Sequence, residues 1–403
     1  MKKLIHPLLL GAILCRAQAT ELTVQGGTSD RVPAVVTFAA PKELRGELSL
    51  TDKEGASLPL QVDETGRGVF VLPKVGKGTS ASFTVGPKAQ TIFPVGVEVI
   101  KQADKVNFIV HEGANTVPLM SYQTEPGELP QGVPDFYAHG AHLHPIFSPS
   151  GKLVTGDHPP DHYWQRGVWL AWTKTLFQGR APDFWNMGKA KGGELSGEVR
   201  FMKLLRTWSG QVQGGFVSQH QFIDHTSGSE VPVLNETWEV SATFITVRGK
   251  PVFLIDVAST QTCAGTDPLQ LPAYHYGGLG VRGNRAWDPV EAVTMLTSEG
   301  AGRAAGDGKK SRWVHMGGLI NDEPTGIAVL VHPGNFRAPQ PIRLNPANPQ
   351  LCVTPSAEGD WAIEPGKPYV SRYRLVILDG KADAALLEQL WVDYADPLKV
   401  QCR

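Results

Sequence analysis

The chain has only four cysteines in 403 residues. That scarcity excludes a small scaffold framed by disulfides. No Cys-x-x-Cys occurs, which argues against a thiolate zinc site or a redox dithiol. Neither sign of charge is in excess: 38 Lys and Arg stand against 39 Asp and Glu, a formal net charge of -1. A strongly basic nucleic-acid footprint is therefore absent, and no nucleic-acid partner is expected. No apolar run after residue 19 approaches the roughly 20 residues of a membrane helix. Also absent are a Gly-x-Ser-x-Gly elbow, a phosphate-binding loop, a dinucleotide fingerprint and any repeat of 20–50 residues. No nucleotide cofactor is expected. Long helical patterns are scarce too.

What the sequence does have is punctuation. Gly 44 and Pro 31 are above average usage, and with little helical pattern they imply many strands joined by turns. A hydrophobic content of 41% with 19% charged residues marks a globular chain rather than a disordered one. The first 19 residues read as an export signal: Lys2 and Lys3, the apolar run Leu8 to Leu14, then Ala17-Gln18-Ala19 as a cleavage site. Cleavage after Ala19 leaves 35 basic residues against 39 acidic ones. A mildly acidic protein of the periplasm, or a secreted one, is expected. Cys263, Cys352 and Cys402 then remain, and three cannot all pair. Cys263–Cys352 and Cys352–Cys402 stay open as alternatives.

Residues 20–92 read as a small β-sandwich module. Alternating runs at Glu21–Val24, Val35–Phe38, Gly46–Leu50 and Gly68–Leu72 are separated by Gly26-Gly27, Lys53-Glu54-Gly55 and Gly76-Lys77-Gly78. Residues 95–403 hold every Trp and eleven of the twelve His. Strand-like runs continue there at Val106–Val110, Val252–Val257, Ile327–Val331 and Tyr373–Leu378, with one helix predicted over Ala382–Tyr394. The fold class is all-β: the small sandwich plus a large two-sheet sandwich with one late helix.

Histidine is concentrated in one place. His139, His142, His144, His158 and His162 lie within 24 residues. The segment His158-Pro159-Pro160-Asp161-His162-Tyr163-Trp164-Gln165-Arg166-Gly167-Val168-Trp169 follows. Its prolines exclude a helix or central strand, so His158, Asp161 and His162 sit on a loop, and Gly167 turns the chain into a buried strand. His162 is the acid–base candidate, Asp161 its orienting carboxylate and Arg166 a fixed cation with a planar fork of donors. Trp164, Trp169, Trp172 and Trp185 are aromatic faces for a sugar ring, although Trp169 and Trp172 suit the core better. The histidines also supply donors for a divalent metal; if one binds, His158, Asp161 and His162 are the expected ligands. Two later segments can return to this site: Tyr274 to Arg282, with His275 and Arg282, and Val331 to Arg337, with His332 and Asn335. His220 and His225 lie in a polar stretch and read as surface residues.

Asp161-His162 with Arg166-Gly167-Val168-Trp169, and His144-Pro145 and Pro149-Ser150-Gly151 upstream, resembles a bacterial family of unknown function often labelled methane oxygenase PmoA-like. The resemblance continues through Asp183-Phe184-Trp185, Gly278–Arg282, Arg312-Trp313-Val314, His332–Asn335 and Tyr373-Arg374, covering most of residues 100–400. The family pattern carries two histidines just before the Arg-Gly; here those places hold Trp164 and Gln165. The resemblance implies a secreted β-supersandwich of the galactose-mutarotase-like kind, an architecture used in carbohydrate metabolism, rather than a membrane-embedded subunit.

The expected function is a carbohydrate-active enzyme: a lyase, hydratase, hydrolase or epimerase acting on a saccharide or glycoside. Asp161, His162, Arg166 and His332 would be its catalytic residues. His144, Trp164, His275, Arg282 and Asn335 would contact substrate. The alternatives are a non-catalytic saccharide-binding protein and a metal-dependent oxidoreductase.

Overall fold

A computed structural model of the chain describes residues 20–31, 33–89, 95–188 and 193–403. The predicted export segment, 1–19, lies outside the described residues.

Strand alternation builds three large antiparallel sheets. The first has seven strands and contains Glu21–Gln25, Ala34–Ala39, Gly46–Thr51, Ser57–Val62, Arg67–Leu72 and Ser80–Pro87. Inward residues such as Leu22, Val24, Val36, Leu50, Leu60 and Phe70 form its own core. Its seventh strand was not foreseen. Lys399–Cys402, the last strand of the chain, pairs with Glu21–Gln25, so residues from the far end complete the N-terminal module.

The remaining two sheets face each other. A nine-stranded sheet runs from Lys309–Ser311 at one edge, through Gln340–Leu344, Gln350–Val353, Gly278–Arg282, Val168–Ala171 and His142–Ile146, to Val95–Lys101 at the other. An eight-stranded sheet contains the long strands Gly197–Trp208, Gln213–Asp224, Val231–Val247 and Lys250–Cys263, with Tyr369–Asp379, Glu323–Val331, Trp313–Ile320 and Val293–Thr297. Their shared core runs from Val106, Phe108 and Leu143 to Phe216, Trp238, Ile255 and Ile327. This is the expected all-β sandwich architecture.

The late helix is present as Ala384–Ala395, with the Asp383 carboxylate accepting from Leu386 N–H as its N-cap. Leu386, Leu387 and Leu390 pack onto Leu254, Leu330 and Val376 of the eight-stranded sheet. Val35 and Val71 of the small module join the same cluster. Arg31 reaches from that module to Asp393 (3.1 Å) and Asp396 (2.8 Å). Gln61 adds a second join, donating to Gln213 O and accepting from Val212 N–H and Gln213 N–H.

Two sets of polar residues differ from the sequence expectation. Cys263, Cys352 and Cys402 are all free, for they lie in the eight-stranded, nine-stranded and seven-stranded sheets respectively. His220 is not a surface residue. Strand alternation points it inward, where its Nδ1 is 2.8 Å from Glu236 and its Nε2 is 2.6 Å from the Tyr122 hydroxyl. Glu236 also accepts from Ser259 and Gln261, so this polar group inside the core is paired.

Candidate functional site

The nine-stranded sheet has a polar cleft of about 330 Å³ at one end. Strand register explains which residues meet there. Trp169 pairs with Gly280, Gly280 with Cys352, and Cys352 with Arg343. Directly opposed residues share a face of the sheet, so these four lie in one row across it. Arg282 and Gln350, also opposed, lie on the same face one pleat further on. Gly280 leaves the space that the aromatics fill: a Cβ there would stand 2.6 Å from Trp185 and 2.8 Å from Trp169.

The proline-rich loop brings Asp161 and His162 to the mouth of this cleft. Gly167 ends the loop at φ 37°, and a Cβ there would lie 1.9 Å from Leu143 O. Only glycine fits so close a passage of one strand past another. The loop is pinned on both sides, by Gly167 N–H on Gly156 O at 2.7 Å and His158 N–H on Gln165 O at 2.9 Å.

Asp161 and His162 form a hydrogen-bonded pair, Oδ2 to Nδ1, at 2.8 Å. The carboxylate is an acceptor, so Nδ1 carries the hydrogen and Nε2 keeps its lone pair. Asn348 Nδ2 donates to the same Oδ2 at 3.0 Å, and Arg282 Nη1 lies 3.4 Å from it. Partial burial raises the Asp161 pKa, but the Arg282 charge and the hydrogen bonds from His162 and Asn348 outweigh it and hold the group below its ordinary value. Arg282 is buried in its strand and also binds Gln165 Oε1 at 2.8 Å and Asp288.

Aromatic and amide groups make the rest of the wall. Trp164 presents to His162 edge to face, with centroids 5.0 Å apart. Trp185, Tyr276, His275, Asn186, Gly188, Asp183, Gln165, Arg343, Asn345 and Gln350 complete the described lining. Burial raises the Asp183 pKa, yet both of its oxygens are occupied, by Trp185 N–H, Asn186 N–H and Asn186 Nδ2. Asp183 therefore shapes the turn that carries Trp185. Burial, then the Arg343 charge, lowers the His275 pKa, so this ring is a neutral wall member near pH 7.

Among the expected site residues, the structure brings His162, Trp164 and His275 to the cleft lining, with Asp161 and Arg282 directly behind His162. Trp164 and Gln165, the two residues just before Arg166-Gly167, both line the cleft. Four expected members are elsewhere. Arg166 is buried, with Nη2 3.9 Å from Met187 Sδ and with Nε and Nη1 unpartnered among the described residues. It is absent from the cleft lining. His332 packs edge-on to Tyr394 of the late helix and accepts from Gly334 N–H. Asn335 is a buried clamp that accepts from Arg372 N–H and donates to Arg372 O. His144 is bound to Thr155 Oγ1 at 2.9 Å, in a group of its own with His142, Asp157 and His158. There Asp157 is raised by burial but drawn down to about 2, chiefly by the hydrogen bond from His158.

The metal set does not assemble. His158 binds Asp157 and Tyr137 O, whereas Asp161 and His162 bind each other. Among the described residues, only Glu198, His225 and Glu230 bring three donor atoms within 4.8 Å of one another. Arg200 already bridges those two carboxylates. The residues expected to hold a metal thus do not fit one.

Sequence reasoning missed the hairpin Gln340–Leu344 to Gln350–Val353, which supplies Arg343, Asn345, Asn348 and Gln350. Its signal was Asn345-Pro346-Ala347-Asn348-Pro349-Gln350, a polar turn between apolar runs. Nothing local ties that turn to a loop nearly 190 residues earlier.

Fold and cleft together define an all-β sandwich protein with a polar, aromatic-walled site at the end of one sheet. The chain belongs to the family described as "Family of unknown function (DUF6807)", whose model matches residues 110–392. A comparison with curated proteins found no match. Among solved structures, a glycosyl hydrolase family 38 protein from Enterococcus faecalis is 8% identical with a TM-score of 0.40. An alpha-mannosidase from Enterococcus faecalis V583 is 9% identical, again with a TM-score of 0.40. Each match covers 96% of this chain, but only 47% and 46% of those chains. The chain thus spans about half the length of either. No helix among the described residues is long and apolar enough to cross a membrane.

Proposed function

We propose that this protein is an exported, saccharide-acting enzyme in which His162 moves the proton of the reaction. The observation that carries the reading is the Asp161–His162 pair, held by Asn348 and buried Arg282, at the edge of a cleft walled by Trp164, Trp185 and Tyr276. Such a pair fixes one imidazole tautomer and leaves Nε2 to take a proton. Indole and phenol faces match the apolar C–H faces of a pyranose, while Asn186, Asn345, Gln165 and Gln350 suit its hydroxyls. The chemistry fits a lyase, hydratase, hydrolase or epimerase step. In this reading Arg166, which is absent from the cleft lining, is not assigned to the reacting atoms.

A saccharide panel, run with and without divalent metals, tests this reading. Turnover lost in His162→Ala supports it. Binding without turnover, lost in Trp164→Ala and indifferent to His162→Ala, would instead make the protein a saccharide binder. Absence of both turnover and binding across the panel would overturn both. For the oxidoreductase activity suggested by the PmoA-like label, no three-donor ligand set lies in this cleft among the described residues.

A further inference from the structure

We propose that the cleft selects an acidic saccharide, seating its carboxylate against Arg343 and Gln350. This inference rests on the saccharide reading and names its substrate class. Three observations carry it.

The first is placement. Arg343 is on the strand Gln340–Leu344 and Asn345 is the residue just past its end, where Asn345 N–H bonds Gln350 O across the hairpin. All three residues line the cleft. The second is a weakly held donor. Gln350 is 3% exposed, and its side chain hydrogen-bonds the Cys352 thiol, with no oxygen or nitrogen acceptor for Nε2 among the described residues. Sulfur is a weak acceptor, so a carboxylate oxygen of a ligand competes well for that amide.

The third is the balance of charge. Arg343 is the one permanent cation among the described cleft-lining residues. Asp307 accepts from its Nη1 and also from Leu344 N–H, which fixes the guanidinium. No partner takes Nε or Nη2 among the described residues, so that edge of the planar fork remains for a ligand. The one carboxylate in the described lining, Asp183, already accepts three hydrogen bonds, which partly offset its charge. The wall thus offers a ligand carboxylate a cation and an amide donor. A hexuronate presents that anion on a ring sized for the aromatic wall.

Calorimetry on the full protein tests the proposal, using matched uronate and neutral oligosaccharides together with a small hydroxycarboxylate such as gluconate. The variants are Arg343→Gln and Arg343→Lys, with melting curves to establish that each folds. Uronates are expected to bind at least about 10-fold more tightly than their neutral counterparts. That preference should vanish in Arg343→Gln and return in part in Arg343→Lys. Equal binding of uronate and neutral sugars, or a preference that survives Arg343→Gln, overturns the acidic-substrate inference and leaves the saccharide reading standing. Arg343-dependent binding of gluconate with no oligosaccharide bound overturns the saccharide reading and leaves the carboxylate seat. If nothing in the set binds, both fall.

Discussion

His162 Nδ1 stands 2.8 Å from Asp161 Oδ2, the same oxygen that Asn348 reaches at 3.0 Å. One carboxylate oxygen thereby fixes a ring on a loop to a residue from a distant hairpin. The pair lies at the surface, but its anchor, Arg282, is wholly buried in a strand. A site built this way takes its precision from the sheet rather than from the loop.

Asp161→Asn breaks that arrangement without emptying it. The amide no longer favours hydrogen on Nδ1, and the charge opposite Arg282 is gone. The expected result is a fall in turnover of about 100-fold or more, the scale of a general acid–base contribution. The melting temperature should change little, because both side chains are partly exposed. Nitrogen NMR of the His162 ring provides a readout that needs no substrate: the wild-type ring should hold hydrogen on Nδ1, and the variant should shift toward the other tautomer. Identical ring spectra in the two proteins would remove Asp161 as the orienting group.

Gly280→Ala tests the floor of the cleft. The new methyl would stand 2.6 Å from Trp185 and 2.8 Å from Trp169, well inside van der Waals contact. Both indoles are buried, with centroids 4.6 Å apart, so neither can swing away freely. Overpacking of this kind costs roughly 1–3 kcal/mol. Denaturant melts should show that loss, and ligand affinity should fall as Trp185 is displaced. A variant as stable as wild type would mean that the two tryptophans are loosely packed.

Much of this fold is legible in the sequence, because sheet burial writes a period of two. Val252–Val257 and Tyr373–Leu378 read as strands and pair within one sheet, and apolar spacing over 382–394 marks the helix, which starts two residues later than expected because Asp383 caps it. The Asp161–His162 pair is legible for a local reason: neighbours in sequence, held off any helix by Pro159 and Pro160. What stays hidden depends on register between distant strands. Arg343 joins the cleft through the row from Trp169 to Gly280 to Cys352, and no spacing announces that row. His332 misleads for the converse reason. It follows an apolar strand and precedes a polar turn, as a site residue would, but the helix Ala384–Ala395 brings Tyr394 onto it. Lys399–Cys402 carries too few residues to reveal that its partner is at the other end of the chain.

Arg31 links the small module to the late helix through Asp393, both side chains at most 2% exposed. Burial raises the Asp393 pKa to about 6, and the Arg31 contact opposes that rise. Arg31→Ala removes the hydrogen-bonded partner of this buried carboxyl and leaves only the more distant Arg374 charge, a loss of roughly 3–5 kcal/mol. The double variant Arg31→Met, Asp393→Leu should recover most of it, since apolar groups of similar size need no pairing. Thermal melts of the two variants check this. A double variant no more stable than Arg31→Ala would show that packing, not charge, makes the join.

His315 gives the protein an acid-sensitive group far from ionic partners. It is 1% exposed, neither ring nitrogen has a hydrogen-bond partner among the described residues, and burial lowers its pKa to about 4. In the unfolded chain the same ring titrates near 6.5. Between these values the unfolded state binds a proton that the folded state refuses. The stabilising difference is therefore complete above pH 6.5 and is lost as pH falls toward about 4, at about 1.4 kcal/mol per pH unit. His142, lowered to about 4 chiefly by burial, acts in the same direction, so wild type should lose stability steeply on mild acidification. His315→Leu removes one of the two titrations and sacrifices no hydrogen bond. Its absolute stability will also reflect packing, because a Cβ on Gly326 would lie only 2.3 Å from His315 Nε2 and the ring thus fits closely against the backbone. The comparison is therefore of slopes: between pH 7 and pH 5 the variant should lose about 2 kcal/mol less than wild type in denaturant melts. Parallel slopes in the two proteins would show that His315 is protonated in the folded state after all.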